Sequence, residues 1–273
     1  MPKDWFDGVS RGMKYVERDG VGLYTSPKLD EYPVAYAITT RKGGVTKSEC
    51  GSLNLSYKRK DIAENVRRNF RIAAAAAGVN EKTLTCANYV HGDATHICLP
   101  SDIGAGVWRD NDLPICDAVA TRHKGISLVT LHADCVPATI YDTSNHAACL
   151  CHAGWRGTLA YSVTKAFGVM ESEFHSRAEN CIGIIGPCIC RDCYEVGEDL
   201  AKRFYLEFGE KSVLNGGIHI DLSFCTAEQF RRIGFLPENV IVAGVCTYCN
   251  ADMYSFRRDG ENTGAFAQMM ELK

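Results

Sequence analysis

Ile126-Ser-Leu-Val-Thr-Leu-His-Ala-Asp-Cys135 and Ala147-Ala-Cys-Leu-Cys-His-Ala-Gly-Trp-Arg-Gly157 decide how this chain is read. Each opens on an apolar, β-prone run, residues 126–131 and 147–151, and ends on reactive side chains. In α/β folds the C-terminal ends of neighbouring strands face one crevice, where ligands bind. A thiol and an imidazole delivered there form either part of a metal site or a nucleophile with its base. His91, in Tyr89-Val-His-Gly92 ahead of another strand-like stretch, is a third donor. Taken singly, each of these residues is more often a core or hydrogen-bonded side chain; their shared position at strand ends argues otherwise. Two imidazoles and a thiolate suit zinc and leave one coordination position open, which separates a reactive site from a structural one. Copper accepts the same donors, but multicopper chemistry needs many paired histidines, and the eight here include no His-x-His pair.

Working outward, residues 33–40, 95–99, 117–121, 181–186, 219–222, 239–246 and 254–257 also read as strands. Residues 61–77 are the clearest helix: Asp61 as N-cap with Glu64 three positions on, an alanine run, and Gly78 to stop it. Residues 158–174, 194–208 and a segment capped at Ser223 and closed by Gly234 are further helices. Strands alternate with helices, but some strand pairs have only hairpin-length connections. An α/β (α+β) fold with mixed sheets follows. No linker, repeat or low-complexity run divides the 273 residues, so one compact domain over 1–273 is expected, with 1–30 peripheral.

A net charge of −3 supplies no basic face for nucleic acid, and 46% apolar with 23% charged residues is ordinary globular composition. No apolar run reaches the roughly 18 residues of a membrane span. Met1-Pro-Lys-Asp-Trp-Phe-Asp7 is acidic and lacks the apolar core of a signal peptide. The fourteen cysteines are therefore expected to be reduced, in a cytoplasmic protein, several of them acting as small buried hydrophobes. A monomer is expected. Gly154-Trp-Arg-Gly157 turns from strand to helix, where backbone N–H groups and Arg156 favour an anion. Arg41, before Gly43-Gly44, offers a second fork for phosphate or carboxylate. A surface salt bridge is the competing reading for either arginine. Cys188-x-Cys190-x-x-Cys193 and Cys246-x-x-Cys249 repeat the Cys-x-x-Cys spacing of a zinc ribbon. Pro187 and an extra cysteine disturb the first arm and both arms fall in turns, so reduced turn cysteines are favoured over a structural zinc. His132 shares a strand face with Asp134 and lies opposite Cys135, which puts it outside the metal shell.

Together these residues resemble the YfiH/YlmD family, also called laccase-domain or multicopper polyphenol oxidoreductase proteins. Members carry the names purine nucleoside phosphorylase, adenosine deaminase and peptidoglycan editing factor. The resemblance runs from about residue 35 to 272. Its motifs begin with Thr39-Thr-Arg-Lys-Gly-Gly-Val45, Ser52-Leu-Asn-Leu55, Val90-His-Gly92, Asp117-Ala-Val-Ala-Thr121, Ala133-Asp-Cys-Val-Pro137 and His152–Gly157. They continue with Ile185-Gly-Pro-Cys188, Cys193-Tyr-Glu-Val196, Cys246-Thr-Tyr248 and Ser255-Phe-Arg-Arg-Asp-Gly260. The resemblance implies a metal triad at His91, Cys135 and His152 and pocket residues Arg41, Asn54 and Arg156. It also implies a layered α/β/β/α domain related to cysteine hydrolases such as the deamidase toxins. Tyr89 stands where the family usually has Gln, and His132 where it often has Thr.

The function so implied is that of a zinc-dependent purine nucleoside enzyme. It would split adenosine or inosine with phosphate held by Arg41 and Arg156, or deaminate adenosine with Asp134 carrying a proton. Purine nucleoside and phosphate are the expected partners. A second reading is a metal-free cysteine amidohydrolase on peptidoglycan precursors, with Cys135 as nucleophile and His152 as base. The third is a copper-dependent polyphenol oxidase.

Overall fold

Residues 5–214 and 217–273 are described by the computed structural model, so the first four residues of the acidic N-terminal stretch lie outside it. The strands in chain order begin with β1 (Lys14–Arg18), β2 (Val21–Thr25), β3 (Val34–Thr39), β4 (Leu84–Cys86), β5 (Thr95–Ile97), β6 (Ala118–Thr121) and β7 (Ser127–His132). They continue with β8 (Val136–Asp142), β9 (Ala147–Ala153), β10 (Cys181–Ile185), β11 (Val213–Leu214), β12 (His219–Ile220), β13 (Val240–Val242) and β14 (Phe266–Leu272). The helices are α1 (Ala63–Ala77), α2 (Trp155–Leu159), α3 (Ser162–Phe174), α4 (Glu198–Phe208), α5 (Leu222–Ile233) and α6 (Phe256–Asp259). One six-stranded sheet has the order β1-β2-β3-β14-β7-β4, the other β13-β10-β8-β9-β6-β5, and β11-β12 form a small ribbon. Both large sheets are mixed: β4 runs parallel to β7, and β10 parallel to β13, within otherwise largely antiparallel neighbours.

Alternation of side chains along the strands builds the layers. On β9, Ala147, Cys149, Cys151 and Ala153 face α3 and α5, packing with Phe167, Phe204 and Phe230. Ala148 and Leu150 point the other way, into a second core shared with Leu128 of β7, Phe266 and Met270 of β14 and Ile184 of β10. On β7, Val129 and Leu131 face a third core, where Phe70, Ala73 and Ala77 of α1 close the outer side of the first sheet. The result is the expected α/β/β/α stack. It also corrects one premise. The runs ending near Cys135 and at His152 were expected to be neighbours in a sheet, yet β7 and β9 belong to different sheets and meet face to face.

Several boundaries differ for physical reasons. Asp61 does not cap α1; its carboxylate accepts from Thr46 Oγ1 (2.7 Å), Asn54 Nδ2 and Asn65 Nδ2, while Gly78 ends the helix with φ 74° as expected. The expected helix over 158–174 is two helices, because Tyr161 turns the chain at φ 60°. Asp221, not Ser223, caps α5, accepting from Phe224 N–H at 2.8 Å. Residues 254–257 are not a strand: Ser255 accepts from Arg258 N–H and starts α6. Residues 1–30 are not uniformly peripheral, since all five residues of β2 are buried and β2 pairs with β3.

Candidate metal centre

Two loops and the end of strand β9 deliver the donors. From β7 the chain crosses to the facing sheet through Ala133-Asp134-Cys135, and Asp134 makes the turn at φ 96°, a conformation costly for any residue but glycine. Three hydrogen bonds stabilise it: Ile189 N–H to the Asp134 carbonyl (3.0 Å), Thr247 Oγ1–H to Oδ1 (2.6 Å) and Arg257 N–H to Oδ2 (2.7 Å). Cys135 thus heads β8, beside the end of β9, where Pro137 and His152 are register partners. Pro137 is tolerated because it stands near the strand entry. His91 lies between β4 and β5 at φ 66°. One donor atom each from His91, Cys135 and His152 falls within 4.8 Å of the other two.

Asp117 holds this arrangement together and was not singled out from sequence beyond its place in a quoted motif. It is buried at the entry to β6. Its Oδ1 accepts from His91 N–H (2.8 Å), and its Oδ2 from the N–H groups of Gly92 (2.6 Å) and Val90 (3.2 Å). Oδ1 also lies 3.0 Å from His152 Nδ1, which fixes the proton on that nitrogen and turns Nε2 toward Cys135. The clue was a lone carboxylate opening an otherwise apolar strand. Gly154 supplies room: a Cβ there would stand 3.0 Å from Cys135 Sγ and 3.1 Å from His91 Cδ2. Gly157 likewise lets α2 approach the loop, since a Cβ would meet the Gly92 carbonyl at 2.7 Å.

The electrostatics follow from this geometry. Burial alone would push the Cys135 thiol up, but His152 and His91 bring it down to about 6. Burial works against charge on His152 as well, yet the Cys135 thiolate and the Asp117 carboxylate raise it to about 9. Burial also opposes ionisation of Asp117; the His152 ring and the loop N–H groups overcome it and hold the carboxyl below its usual range. These donors fit zinc: a thiolate at neutral pH, a His152 ring whose Nδ1 proton stays directed at Asp117 while its Nε2 proton would be displaced by the metal, a second imidazole beside them, and a glycine leaving the space between them clear.

Other expected residues fall elsewhere. His132 stays outside the donor set, buried and held neutral by desolvation, with Nε2 2.9 Å from Thr130 Oγ1 and its ring 5.1 Å from that of His152. Arg41 spends its donors on the carbonyls of Gly51 (2.9 Å) and Glu49, with its guanidinium over the Tyr254 ring. Asn54 is buried; its Nδ2 donates to Ser56 O and Asp61, and its Oδ1 accepts from Ser56 and Ala265 N–H. Asn54 is therefore a turn-forming residue with no capacity left for a ligand, and Arg41 braces the same loop. Asp134 is likewise committed, both carboxylate oxygens being occupied. Arg156 is exposed, 4.3 Å over the Trp155 ring, and among the described residues its N–H groups have no protein acceptor. Because α2 is only five residues long, the anion reading rests on the guanidinium and not on a helix dipole. The Tyr194 ring carries the Arg257 guanidinium 5.2 Å from its centroid.

A cavity of about 470 Å³ is lined by Tyr57, Lys58, Arg67, Tyr89, Trp108 and Leu131, among others. Tyr89, the departure from the family pattern, is the shared wall: its ring centroid is 4.8 Å from that of His152, and Lys58 Nζ lies over its outer part.

The family model described as multi-copper polyphenol oxidoreductase laccase matches residues 35–273. The chain belongs to this laccase-domain family. The laccase-domain chain is 32% identical over 241 residues to a protein named purine nucleoside phosphorylase from Bacteroides thetaiotaomicron, covering 85% of this chain and 88% of that one. A Deinococcus radiodurans protein of the same name is 33% identical over 251 residues, covering 90% of each. The crystal structure of YlmD from Geobacillus stearothermophilus matches with a TM-score of 0.86 at 26% identity, over 94% of this chain and 98% of that chain. The family's description and its relatives' names point to different chemistries, so the residues of the site must choose between them.

Proposed function

We propose that this chain is a zinc-dependent purine nucleoside phosphorylase acting on adenosine and inosine, and that it also deaminates adenosine at the same centre. The observation that carries the reading is the convergence of His91, Cys135 and His152, with Tyr89, its ring 4.8 Å from that of His152, forming part of the wall of a cavity of about 470 Å³. Small-molecule sites commonly span roughly 300–1,000 Å³. The relatives named purine nucleoside phosphorylase support the substrate class. When bound, zinc supplies a Lewis-acid centre with one open position.

The chain's own residues do the rest. Tyr57, Tyr89 and Trp108 offer flat faces to a purine. Asp117 holds the His152 ring and the His91 loop in place, and Arg156 presents its free donors to phosphate. In phosphorolysis the C1′–N bond breaks with its electron pair leaving on the base, while a phosphate oxygen bonds to C1′. That transition state is cationic at the sugar, so a phosphate dianion aligned by Arg156 both stabilises and attacks it. Chelation should abolish the formation of ribose 1-phosphate and free base, and added zinc should restore both. Full turnover by protein shown to be zinc-free would refute the reading.

A second reading is favoured by one observation. A thiol brought to about 6, an imidazole raised to about 9 and a carboxylate on its far nitrogen also compose a Cys-His-Asp hydrolase. Turnover of an amide by zinc-free protein, with a covalent adduct trapped on Cys135, would select it. Multicopper oxidation gains no such support. Among the described residues the remaining donor groups are four cysteines and the set His96, Cys98 and Asp102.

A further inference from the structure

β10 and β13 are parallel neighbours, so the loops that follow them leave the sheet side by side. The first carries Cys190 and Cys193, the second Cys246 and Cys249. A short parallel bridge pairs Cys188 with Cys246: Cys188 N–H donates to Val245 O (3.2 Å) and Thr247 N–H to Cys188 O (3.1 Å). The bridge sets the two Cys-x-x-Cys arms in register. The four sulfurs of Cys190, Cys193, Cys246 and Cys249 lie within 4.8 Å of one another. Cys188, the extra cysteine of the first arm, is instead buried in the apolar core with Phe230.

We propose that Cys190, Cys193, Cys246 and Cys249 bind a structural zinc ion, separate from the His91, Cys135 and His152 centre. Four thiolates at a zinc–sulfur distance of about 2.3 Å in a tetrahedron lie about 3.8 Å apart, which fits the observed spacing. The sulfurs of Cys193 and Cys249 are 3.3 Å apart, far beyond the roughly 2.05 Å of a disulfide bond. A polynuclear iron–sulfur cluster interposes several atoms between opposite cysteines and needs a wider cage. Cys246 Sγ accepts N–H bonds from Cys190 (3.3 Å) and Cys249 (3.5 Å), the backbone support that a metal-bound thiolate uses. Arg258 places a fixed positive charge beside the second arm, donating to the carbonyls of Thr247, Tyr248, Asn250 and Met253. Three of the cysteines are partly buried and Cys249 is exposed, so an ion has a way in.

The site has a visible purpose. Ile189 on the first arm and Thr247 on the second both hydrogen bond to Asp134, the strained residue that sets Cys135 in place. A zinc ion joining the arms would clasp that turn from outside.

Zinc should be counted in full-length protein isolated under reducing conditions, in wild type, in Cys135→Ala and in the double variant Cys193→Ser/Cys249→Ser. The expected values are two equivalents in wild type and one in each variant. X-ray absorption at the zinc edge should give four sulfur neighbours in Cys135→Ala, against an average of about 2.5 in wild type from one Cys₄ and one His₂Cys site. The wild-type average needs no variant, so it decides the matter even where a substitution prevents folding. A single equivalent in wild type after zinc titration with a sulfur average near one, iron with labile sulfide, or a Cys193–Cys249 disulfide in freshly isolated protein would each overturn the proposal. A single equivalent with four sulfur neighbours would instead support it and count against the His91, Cys135 and His152 centre.

Discussion

In metal-free protein, Cys135 should react with iodoacetamide along a curve that rises through about pH 6, three units below an ordinary thiol near 9. The sign follows from the pair. As pH rises through about 6 the thiol loses its proton while His152 keeps its own up to about 9, so the reactive thiolate prevails at neutral pH. Zinc should suppress the reaction, and His152→Asn should move the curve toward alkaline pH; a curve centred near 9 in wild type would contradict the pairing. Asp117→Asn tests the support beneath the donors. An amide cannot accept from three N–H groups and His152 at once, so zinc affinity at the triad should fall about 10- to 100-fold, read by competition with a chelator. Unchanged affinity would reduce Asp117 to a bystander. The donors themselves were legible in the sequence because His91, Cys135 and His152 are chemically distinctive and stand where apolar runs end. Arg41 and Asn54 brace a turn, and a polar side chain in that role looks, in sequence, the same as one awaiting a ligand. Asp117 was passed over because only the folded structure shows its oxygens meeting three backbone N–H groups.

Among the elements, apolar runs such as residues 126–131 and 147–151 were readable as strands, whereas β8 and β14 were not, although both are central. Pro137 argues against a strand by removing a donor, and Phe266-Ala-Gln-Met-Met-Glu-Leu272 has no β-branched residue at all. What makes β14 a strand is the slot between β3 and β7, which buries all seven of its residues. That packing is tertiary, and no local pattern announces it. Phe266 pairs with His132 at the end of β7, their rings 5.7 Å apart, and the His132 ring in turn lies 5.1 Å from that of His152. Phe266→Ala should therefore cost about 3–5 kcal/mol in urea unfolding, as buried aromatic truncations do. A loss below about 1 kcal/mol, in the range of surface changes, would show that β14 is not the keystone of the first sheet.

For the whole molecule, the α/β/β/α stack puts the candidate chemistry where the two sheets face each other, with Tyr89 standing between the His152 ring and the cavity and Arg156 over Trp155. The mixed sheets were inferable from hairpin-length connections; that β7 and β9 would face each other across layers was not, since sequence gives strand order along the chain and not across a sandwich. Arg156 separates the two purine reactions, because deamination has no anionic co-substrate. Arg156→Lys keeps the charge but loses the two-pronged fork, and should cost phosphorolysis roughly 1.5–3 kcal/mol, about one to two decades in kcat/KM for phosphate, while sparing deamination. Equal losses in ribose 1-phosphate and inosine would assign Arg156 to the fold or the nucleoside instead. The decisive measurement pairs zinc content with phosphate-dependent release of ribose 1-phosphate from inosine, in wild type and in Cys135→Ala. One equivalent of zinc and essentially all phosphorolysis should disappear together in the variant. Phosphorolysis that persists when that zinc equivalent is lost, or a zinc content unchanged from wild type when Cys135 is gone, would contradict a catalytic centre built on His91, Cys135 and His152.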